Sequence, residues 1–448
     1  MTISSAQIIQ RVRSAGVVGA GGGGFPTYVK LQAKVDTVIA NGSECEPLLS
    51  SDCSMMEKKP DWLIAGLQIA MQATGAKNGI IALKEHYRDA IKAIEKVLPK
   101  DNSIKLHLLE NYYPAGDEFL LVYEVTGKVI PEGGIPLNVG VVVNNVITLM
   151  QVYQAVNGKP VTERAVTLVG EFNEPKVVTA SIGTTYEDLI KIAGGFKNQN
   201  QDVVLIDGGP MMGKIIDDWK WGIAKTTSGV LALPKDHFIV RMAEQSLSQM
   251  IKRSKAACCQ CFRCSDLCPR NLIGHELYPH MTMRTIDYNQ AEPSKHITSA
   301  FLCSQCGVCE LIACDFMLLS PRKILGAYRK ELVKKGVKNP HTRNQLTPNS
   351  QFENRKVAIP MLLKKLDLMK YDVELPYVEG VQSVRKVRIP LDRHTGRPAL
   401  PKAQMGQKVK MCDIIAGTPE DVLGTVYHAS IDGKITDINN EWIEISAK

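Results

Sequence analysis

Five cysteines fall within eleven positions of the stretch AACCQCFRCSDLCPR, and a proline closes it. Cys258, Cys261, Cys264 and Cys268, followed by Pro269, reproduce the C-x2-C-x2-C-x3-C-P run whose thiolates hold a [4Fe–4S] cluster. Cys259 lies off that grid and reads as a bystander. A second run, CSQCGVCELIAC, supplies Cys303, Cys306, Cys309 and Cys314. Its last gap is four residues rather than three, and Asp315 stands where a proline often follows. A structural zinc site and a disulfide cluster are the competing readings, and neither requires three spacings to match at once.

Two such runs define a two-cluster module, in which the fourth cysteine of each run ligates the other cluster. On that pattern Cys258, Cys261, Cys264 and Cys314 are expected around one cluster, and Cys303, Cys306, Cys309 and Cys268 around its neighbour. Spacing alone is equally compatible with two locally closed sites.

The elements that carry these runs belong to a long chain. At 448 residues it exceeds one core, and about three domains are expected. Hydrophobic content of 44% and charged content of 22% describe an ordinary globular protein. Of the 12 cysteines only Cys45, Cys53 and Cys412 lie outside the runs, which indicates metal ligation in a reducing compartment. The start, MTISSAQIIQRVRSAG, lacks the apolar stretch of a signal peptide, and no run approaches the ~18 apolar residues of a membrane span. A cytoplasmic protein is expected, or one enclosed by something built in the cytoplasm. The net charge is +8, and the segment 322–343 concentrates Lys and Arg against the single acidic residue Glu331. That segment reads as a solvated helix face with a basic tail, or as a docking patch for an acidic redox partner. Nucleic acid is disfavoured, because no aromatic interleaving or binding motif accompanies the charge.

Helices are expected over 4–15, 26–33 and 61–74, and strands at VDTVIAN, NGIIALK and IKLHLLE, with YRDAIKAIEKVL a further helix. VGVVVNNVITLMQVYQAV runs from a buried strand into a helix. This alternation predicts an α/β layer with a largely parallel sheet. From about 163, two strands, a turn and a short helix ending at Gly194–Gly195 suggest a β-grasp-like unit. Helical, cysteine-bearing sequence fills 240–335, and short strands beyond 380 suggest a compact β barrel or sandwich. The expected boundaries are 1–160, 161–238, 239–335, a connector over 336–380, and 381–448.

Gly19, Gly21 and Gly24 satisfy G-x-G-x-x-G, but a helix rather than a strand precedes them, and a glycine string matches by chance. The physics survives: glycines admit a phosphate close to the backbone, and the next helix N-terminus favours the anion. A flexible interhelix loop is the plainer reading.

GAGGGGFPTYVK, NGSECEP, YPAGDE and NNVIT, in that order, resemble the flavin domain of the NADH-oxidising subunit of respiratory complex I and of its counterpart in Rnf complexes, the RnfC-type protein. With the β-grasp (SLBB-like) unit, the two-cluster module and a biotinyl/lipoyl-like barrel-sandwich, nearly the whole chain is similar to the cobalamin reductases of propanediol-utilisation microcompartments. The implied fold is a multidomain α/β protein with a Rossmann-like flavin domain. HASIDGKI stands where a carrier barrel would present a modified lysine, so the barrel reads as structural.

Carried over by position, the resemblance implies Gly19, Gly21 and Gly22 at the FMN phosphate and Lys30 neutralising it. It implies Asn41, Ser43 and Glu44 along the isoalloxazine ring, with Gly116, Asn144, Asn145 and Thr148 closing the site. Phe25, Glu46, Tyr113 and Glu118 match positions used for NADH. Three positions depart from the pattern: Ala20 replaces a common arginine, Ser43 an acidic residue, and Ala33 an aromatic that helps sandwich NADH.

The implied activity passes electrons from NADH through FMN and two [4Fe–4S] clusters to a corrinoid, such as cobalamin, with no catalytic proton donor named. A flavin beside clusters is the arrangement that splits a hydride pair into single electrons. Implied partners are a corrinoid or a corrinoid adenosyltransferase and microcompartment shell proteins. An adaptor exchanging electrons between NADH and ferredoxin or flavodoxin is the alternative, and a scaffold with a vestigial pocket a third. The lower-ligand motif D-x-H-x-x-G is absent; DRHTG, with Asp392, His394 and Gly396, falls one residue short. His275 and His280 are helix-spaced near the clusters and read as surface or supporting residues. Because Cys259 is off the grid, Cys259→Ser is expected to retain the full iron content, while Cys261→Ser loses part of it. Equal iron loss in the two purified variants would show the grid to be misread.

Overall fold

The computed structural model describes residues 3–288 and 294–447. Helix α1 (Ser5–Ser14) starts at a capping box in which the Ser4 and Gln7 side chains satisfy each other's backbone N–H. The short α2 (Thr27–Leu31) follows the glycine loop. Strand β1 (Thr37–Gly42) leads to α3 (Ser51–Lys58) and α4 (Pro60–Thr74), then β2 (Asn78–Lys84), α5 (Arg88–Glu95) and β3 (Ile104–Leu109). A two-residue strand β4 (Tyr112–Tyr113) and α6 (Glu118–Thr126) precede β5 (Val141–Asn145), which runs directly into α7 (Val146–Val156).

The sheet order is β3-β2-β1-β5 and every pair is parallel. Register pairs Ala40 with Asn144 and Asn41 with Asn145, so three asparagines meet at the carboxyl edge of β1 and β5. That edge is where open α/β sheets bind ligands. Behind the sheet, α4 packs on α7 at backbone distance: a Cβ on Gly66 would stand 1.9 Å from the Leu149 carbonyl oxygen.

Helix α3 was not expected from sequence. Its first turn is closed from a distance, with the Glu44 carboxylate accepting from Ser51 Oγ at 2.8 Å and from the Asp52 N–H at 3.0 Å. A carboxylate on the orphan donors of a helix start stabilises it as a local cap would.

The β-grasp unit comprises β6 (Glu163–Gly170), β7 (Lys176–Ser181), a helix over Tyr186–Ile192, β8 (Val203–Asp207), β9 (Lys214–Ile215) and β10 (Gly229–Pro234). The iron–sulfur segment is built from short helices, including Leu247–Ala257, Arg263–Asp266, Pro269–Leu272, Pro279–Asp287 and Pro321–Lys334. The connector is more than a tether: β11 (Val357–Ala358) pairs with β4, and β12 (Tyr377–Gln382) joins β7 as the edge of the β-grasp sheet. The C-terminal strands form two small sheets, one over Lys386–Pro390, Trp442–Ser446, Gly433–Ile438 and Lys408–Val409, the other over Leu400–Pro401, Ile414–Gly417 and Val426–His428.

Lys225, on the loop before β10, is buried where three units meet. Its Nζ donates to Gly16 O at 2.7 Å and to Val426 O at 2.6 Å, and it lies 4.3 Å from the Tyr427 ring centroid. Burial lowers its pKa from 10.5 to about 7. Between those values the unfolded chain carries the extra proton, so stability rises with pH from about 7 upward and is lost as the folded lysine is forced to charge. Between pH 7 and 9 this contributes up to about 2.5 kcal/mol. The urea midpoint of the parent is therefore expected to rise more over that interval than that of Lys225→Met. Parallel pH profiles would contradict it.

Candidate flavin cavity and cysteine cages

A cavity of about 360 Å3 opens at the carboxyl edge of β1 and β5. Its wall includes Gly19, Gly21, Phe25, Lys30, Asn41, Ser43, Glu44, Glu46, Tyr113, Gly116, Glu118, Asn144 and Asn145. Thr148 stands beneath the glycine loop instead, its buried Oγ1 accepting from the Ala20 N–H at 2.8 Å. Gly22 is exposed with φ +100°, and a Cβ there would meet nothing within 4 Å. Asn41 ties the wall together, donating to Gly116 O at 2.9 Å and accepting from the Ser43 N–H at 3.1 Å. A Cβ on Gly116 would stand 2.3 Å from Ser43 O, so only glycine fits. Lys30 Nζ donates to Val143 O at 2.8 Å and pairs with Glu118 at 3.1 Å.

These residues fit FMN. Among the described residues, none accepts from the backbone N–H groups of Gly21, Gly22 or Gly23, which are exposed in succession as an anion-binding nest requires. Ser43 Oγ, Asn144 Nδ2, Glu46 Oε1 and Asp52 Oδ1 are buried without partners, and all four residues line the cavity. Unpaired buried polar atoms are costly, so a bound polar ring edge would be stabilised by them. The volume lies within the range of small-molecule sites.

The carboxylates here are unusual. Burial and the nearby Asp52 push the Glu44 pKa up to about 8, and burial also raises Asp52, against the pull of Arg164. Burial takes Glu46 up to about 7, opposed by the Met211 and Met212 N–H groups and by Arg322. Glu46 Oε2 accepts from the Met211 N–H at 2.8 Å, which anchors the β-grasp loop 208–213 against the cavity.

Sequence reasoning missed two charged residues of this site. Asp52 accepts from Asn145 Nδ2 at 2.5 Å, and Arg164 is a fully buried guanidinium on β6. Arg164 donates from Nη2 to Ala20 O at 2.7 Å and from Nε to Thr227 O at 2.9 Å. An arginine thus reaches the glycine loop from the β-grasp unit, while position 20 itself holds alanine. The available signal was a lone arginine in the apolar strand ERAVTLVG.

The cysteines assemble into two sets. Cys258, Cys261, Cys264 and Cys314 surround a cavity of about 170 Å3, with Cys259 on its rim. Cys268, Cys303, Cys306 and Cys309 surround a second, smaller one. The structure therefore brings Cys268 to the second run and Cys314 to the first. Among the described residues no group of three His, Cys, Asp or Glu side chains could hold a single ion. Burial, then Cys314, Cys258 and Cys261, push the Cys264 thiol up to about 12; burial and Cys306 raise Cys268. Four thiolates in one cage need a compensating cation, and the irons of a cluster supply it.

The two loops repeat one device. Gln260 and Gln305 are left-handed, with φ +54° and +62°, and each directs its side-chain N–H at the first cysteine sulfur of its run, at 3.3 and 3.2 Å. Two residues on, Phe262 and Gly307 are left-handed as well. Cys306 and Ser304 line both the second cage and the flavin cavity. Tyr113 spans that wall, its hydroxyl donating to Cys306 O at 2.6 Å.

The remaining candidates separate. His280 lines the first cage, with Nδ1 on Ser265 Oγ at 2.7 Å and its ring edge-on to Phe262. His275 is buried against Ile130 O, away from either cage. His394 has both ring nitrogens engaged, with the Tyr427 hydroxyl and Arg397 O. In the basic segment, Arg322 pairs with Glu310, Arg343 with Glu132 and Glu276, and Lys323 donates to three carbonyls. Much of that charge holds the fold together.

With Cys268 placed among the second run, Cys268→Ala is expected to perturb the same EPR signal as Cys306→Ala, and Cys314→Ala the same signal as Cys261→Ala. If Cys268→Ala instead reproduces the Cys261→Ala spectrum, each run closes on itself.

Known proteins match these units in the same order. The Nuo51 FMN-binding domain family matches residues 12–154, the SLBB domain 165–214, the 4Fe-4S dicluster domain 257–318, and the RnfC barrel sandwich hybrid domain 367–448. Cobalamin reductase PduS of Salmonella typhimurium is 40% identical over 447 residues, covering 99% of this chain and 97% of its own. The Citrobacter freundii protein of that name matches to the same extent. A component of the proton-translocating ferredoxin:NAD(+) oxidoreductase complex of Clostridium ljungdahlii is 35% identical, over 60% of this chain and 57% of its own. Matched along its whole length by the first two, and only in part by the third, the chain belongs to the PduS family of flavin and iron–sulfur oxidoreductases.

Proposed function

We propose that this chain takes electrons from NADH at the flavin cavity and delivers them singly to a corrinoid, reducing cob(III)alamin or cob(II)alamin. The observation that carries the reading is the wall of Ser304 and Cys306, which belongs to the flavin cavity and to the second-run cage at once. FMN, when bound, would supply the change from a hydride pair to single electrons, and the clusters the single-electron steps. Gly21, Gly22 and Gly23 would offer N–H groups to the phosphate, while the Gly19 N–H, expected there, is taken by Phe25 O at 2.8 Å; Lys30 would offer a cation held in place by Glu118 and Val143 O. Asn41, Ser43, Glu44, Asn144 and Asn145 would line the ring, and Phe25, Glu46, Tyr113 and Glu118, on the same cavity wall, would line the approach for NADH. Thr148 and Gly116 set the loop and wall that position them.

Cys306 of the second run lines the flavin cavity, whereas no first-run cysteine does, and the segment Val308–Ile312 carrying Cys309 leads on to Cys314 of the first-run cage. The first-run cage faces outward, with Cys261 exposed and Phe316 88% exposed beside it. Electrons entering at the cavity leave there. The corrinoid comes from the name of the relatives, which are cobalamin reductases. The same kinship supports work inside a microcompartment, with shell proteins and a corrinoid adenosyltransferase as partners. No helix among the described residues is long and apolar enough to cross a membrane.

The test is anaerobic turnover of the loaded protein with NADH, following cobalamin absorbance in one cuvette and ferredoxin or flavodoxin reduction in another. Reduction of the corrinoid is expected, abolished in Cys314→Ala while NADH still bleaches the flavin. Reduction of ferredoxin or flavodoxin alone would overturn the corrinoid reading in favour of an Rnf-type exchange.

A further inference from the structure

A glycine loop can present its N–H groups to an anion only if its carbonyls are held the other way. Here Gly19 O is taken within the loop by the Gly24 N–H at 3.1 Å, and four other carbonyls find partners outside the flavin domain. Lys225 binds Gly16 O and Arg164 binds Ala20 O, both from the β-grasp unit. The last two carbonyls are taken by the C-terminal barrel: Thr395 Oγ1 donates to Gly23 O at 2.6 Å and Thr395 N–H to Gly24 O at 2.9 Å. Contact there is tight. Gly24 has φ +61°, and a Cβ on it would stand 2.9 Å from His394 Cα and 3.1 Å from Thr226 Cγ2. His394 is in turn fixed through both ring nitrogens, so the barrel loop 392–396 meets the glycine loop as a rigid edge. DRHTG, which resembles a truncated cobalt-ligand motif, has its histidine committed to this edge.

We infer that Thr395 is a positioning residue for the flavin phosphate loop, and that the C-terminal barrel governs how tightly FMN is retained. The inference rests on the cavity holding FMN, and it goes further: the nest is completed by a domain that touches neither the ring nor the clusters. Thr395 is exposed, so its loss leaves the core packing alone. Without the hydroxyl, Gly23 O turns to water and the loop samples orientations in which its N–H groups no longer converge.

The experiment measures FMN release from the loaded protein by the rise of flavin fluorescence on dilution, for the parent, Thr395→Val and Thr395→Ser. Iron content and the melting temperature of the FMN-stripped protein are recorded alongside. One lost hydrogen bond predicts release about three- to tenfold faster in Thr395→Val. Thr395→Ser restores the parental rate, and iron content and melting temperature stay unchanged in both. Parental release from Thr395→Val, or equal acceleration in the serine and valine variants, would overturn the positioning role. Parent protein that binds no FMN would instead overturn the identity of the cavity, an outcome distinct from either.

Discussion

The hydroxyl of Tyr113 on the carbonyl of Cys306 is the contact on which the rest of the molecule depends. It joins the flavin domain to the iron–sulfur module at the wall that Ser304 and Cys306 form between cavity and cage. Tyr113 is 1% exposed and sits on β4, which is held by β11 from the segment after the clusters. The chain therefore passes through the cluster module and returns to brace the residue that faces it. A two-residue strand has little stability of its own; packing of Tyr113, Val357 and Val308 in one apolar cluster holds it.

Buried ionisable groups mark the other junctions. Arg164, Lys225 and Glu46 each leave water to bind backbone groups of a neighbouring unit. Buried ions are poor sources of net stability, because desolvation offsets most of what they gain. Their worth here is positional. Each has one set of partners at one relative placement of the units, so a displaced unit would strand a buried polar group without its hydrogen bonds. Assembly of a flavin cavity from four parts of the chain is thereby made specific as well as apolar.

The cysteine grid was legible because thiolate spacing is a local property of two loops. The parallel sheet was legible because its strands and helices alternate with clear periodicity. Helix α3 was not, since the group that closes its first turn, Glu44, lies outside the helix. Arg164, Asp52 and Thr395 were invisible for a similar reason: the roles of Arg164 and Thr395 exist only across domain junctions, and that of Asp52 only through Asn145, 93 residues along the chain. The connector over 336–380 read as a tether because two-residue pairings such as β11 with β4 carry no sequence period. The missing arginine at position 20 is clearest in this respect. A motif comparison records a loss, whereas the fold brings a guanidinium to the same loop from 144 residues further along the chain.

The order of the electron path is the central claim, and its most direct measurement is rapid freeze-quench EPR after mixing the anaerobic protein with NADH. With signals assigned from cysteine variants, the account predicts that the cluster of Cys303, Cys306, Cys309 and Cys268 is reduced first, and that reduction of the first-run cluster lags behind it. It further predicts that removing the second-run cluster with Cys306→Ala leaves the first-run cluster oxidised on the same timescale while the flavin is still bleached. Reduction of the first-run cluster at the parental rate in that variant would contradict the shared wall as the route.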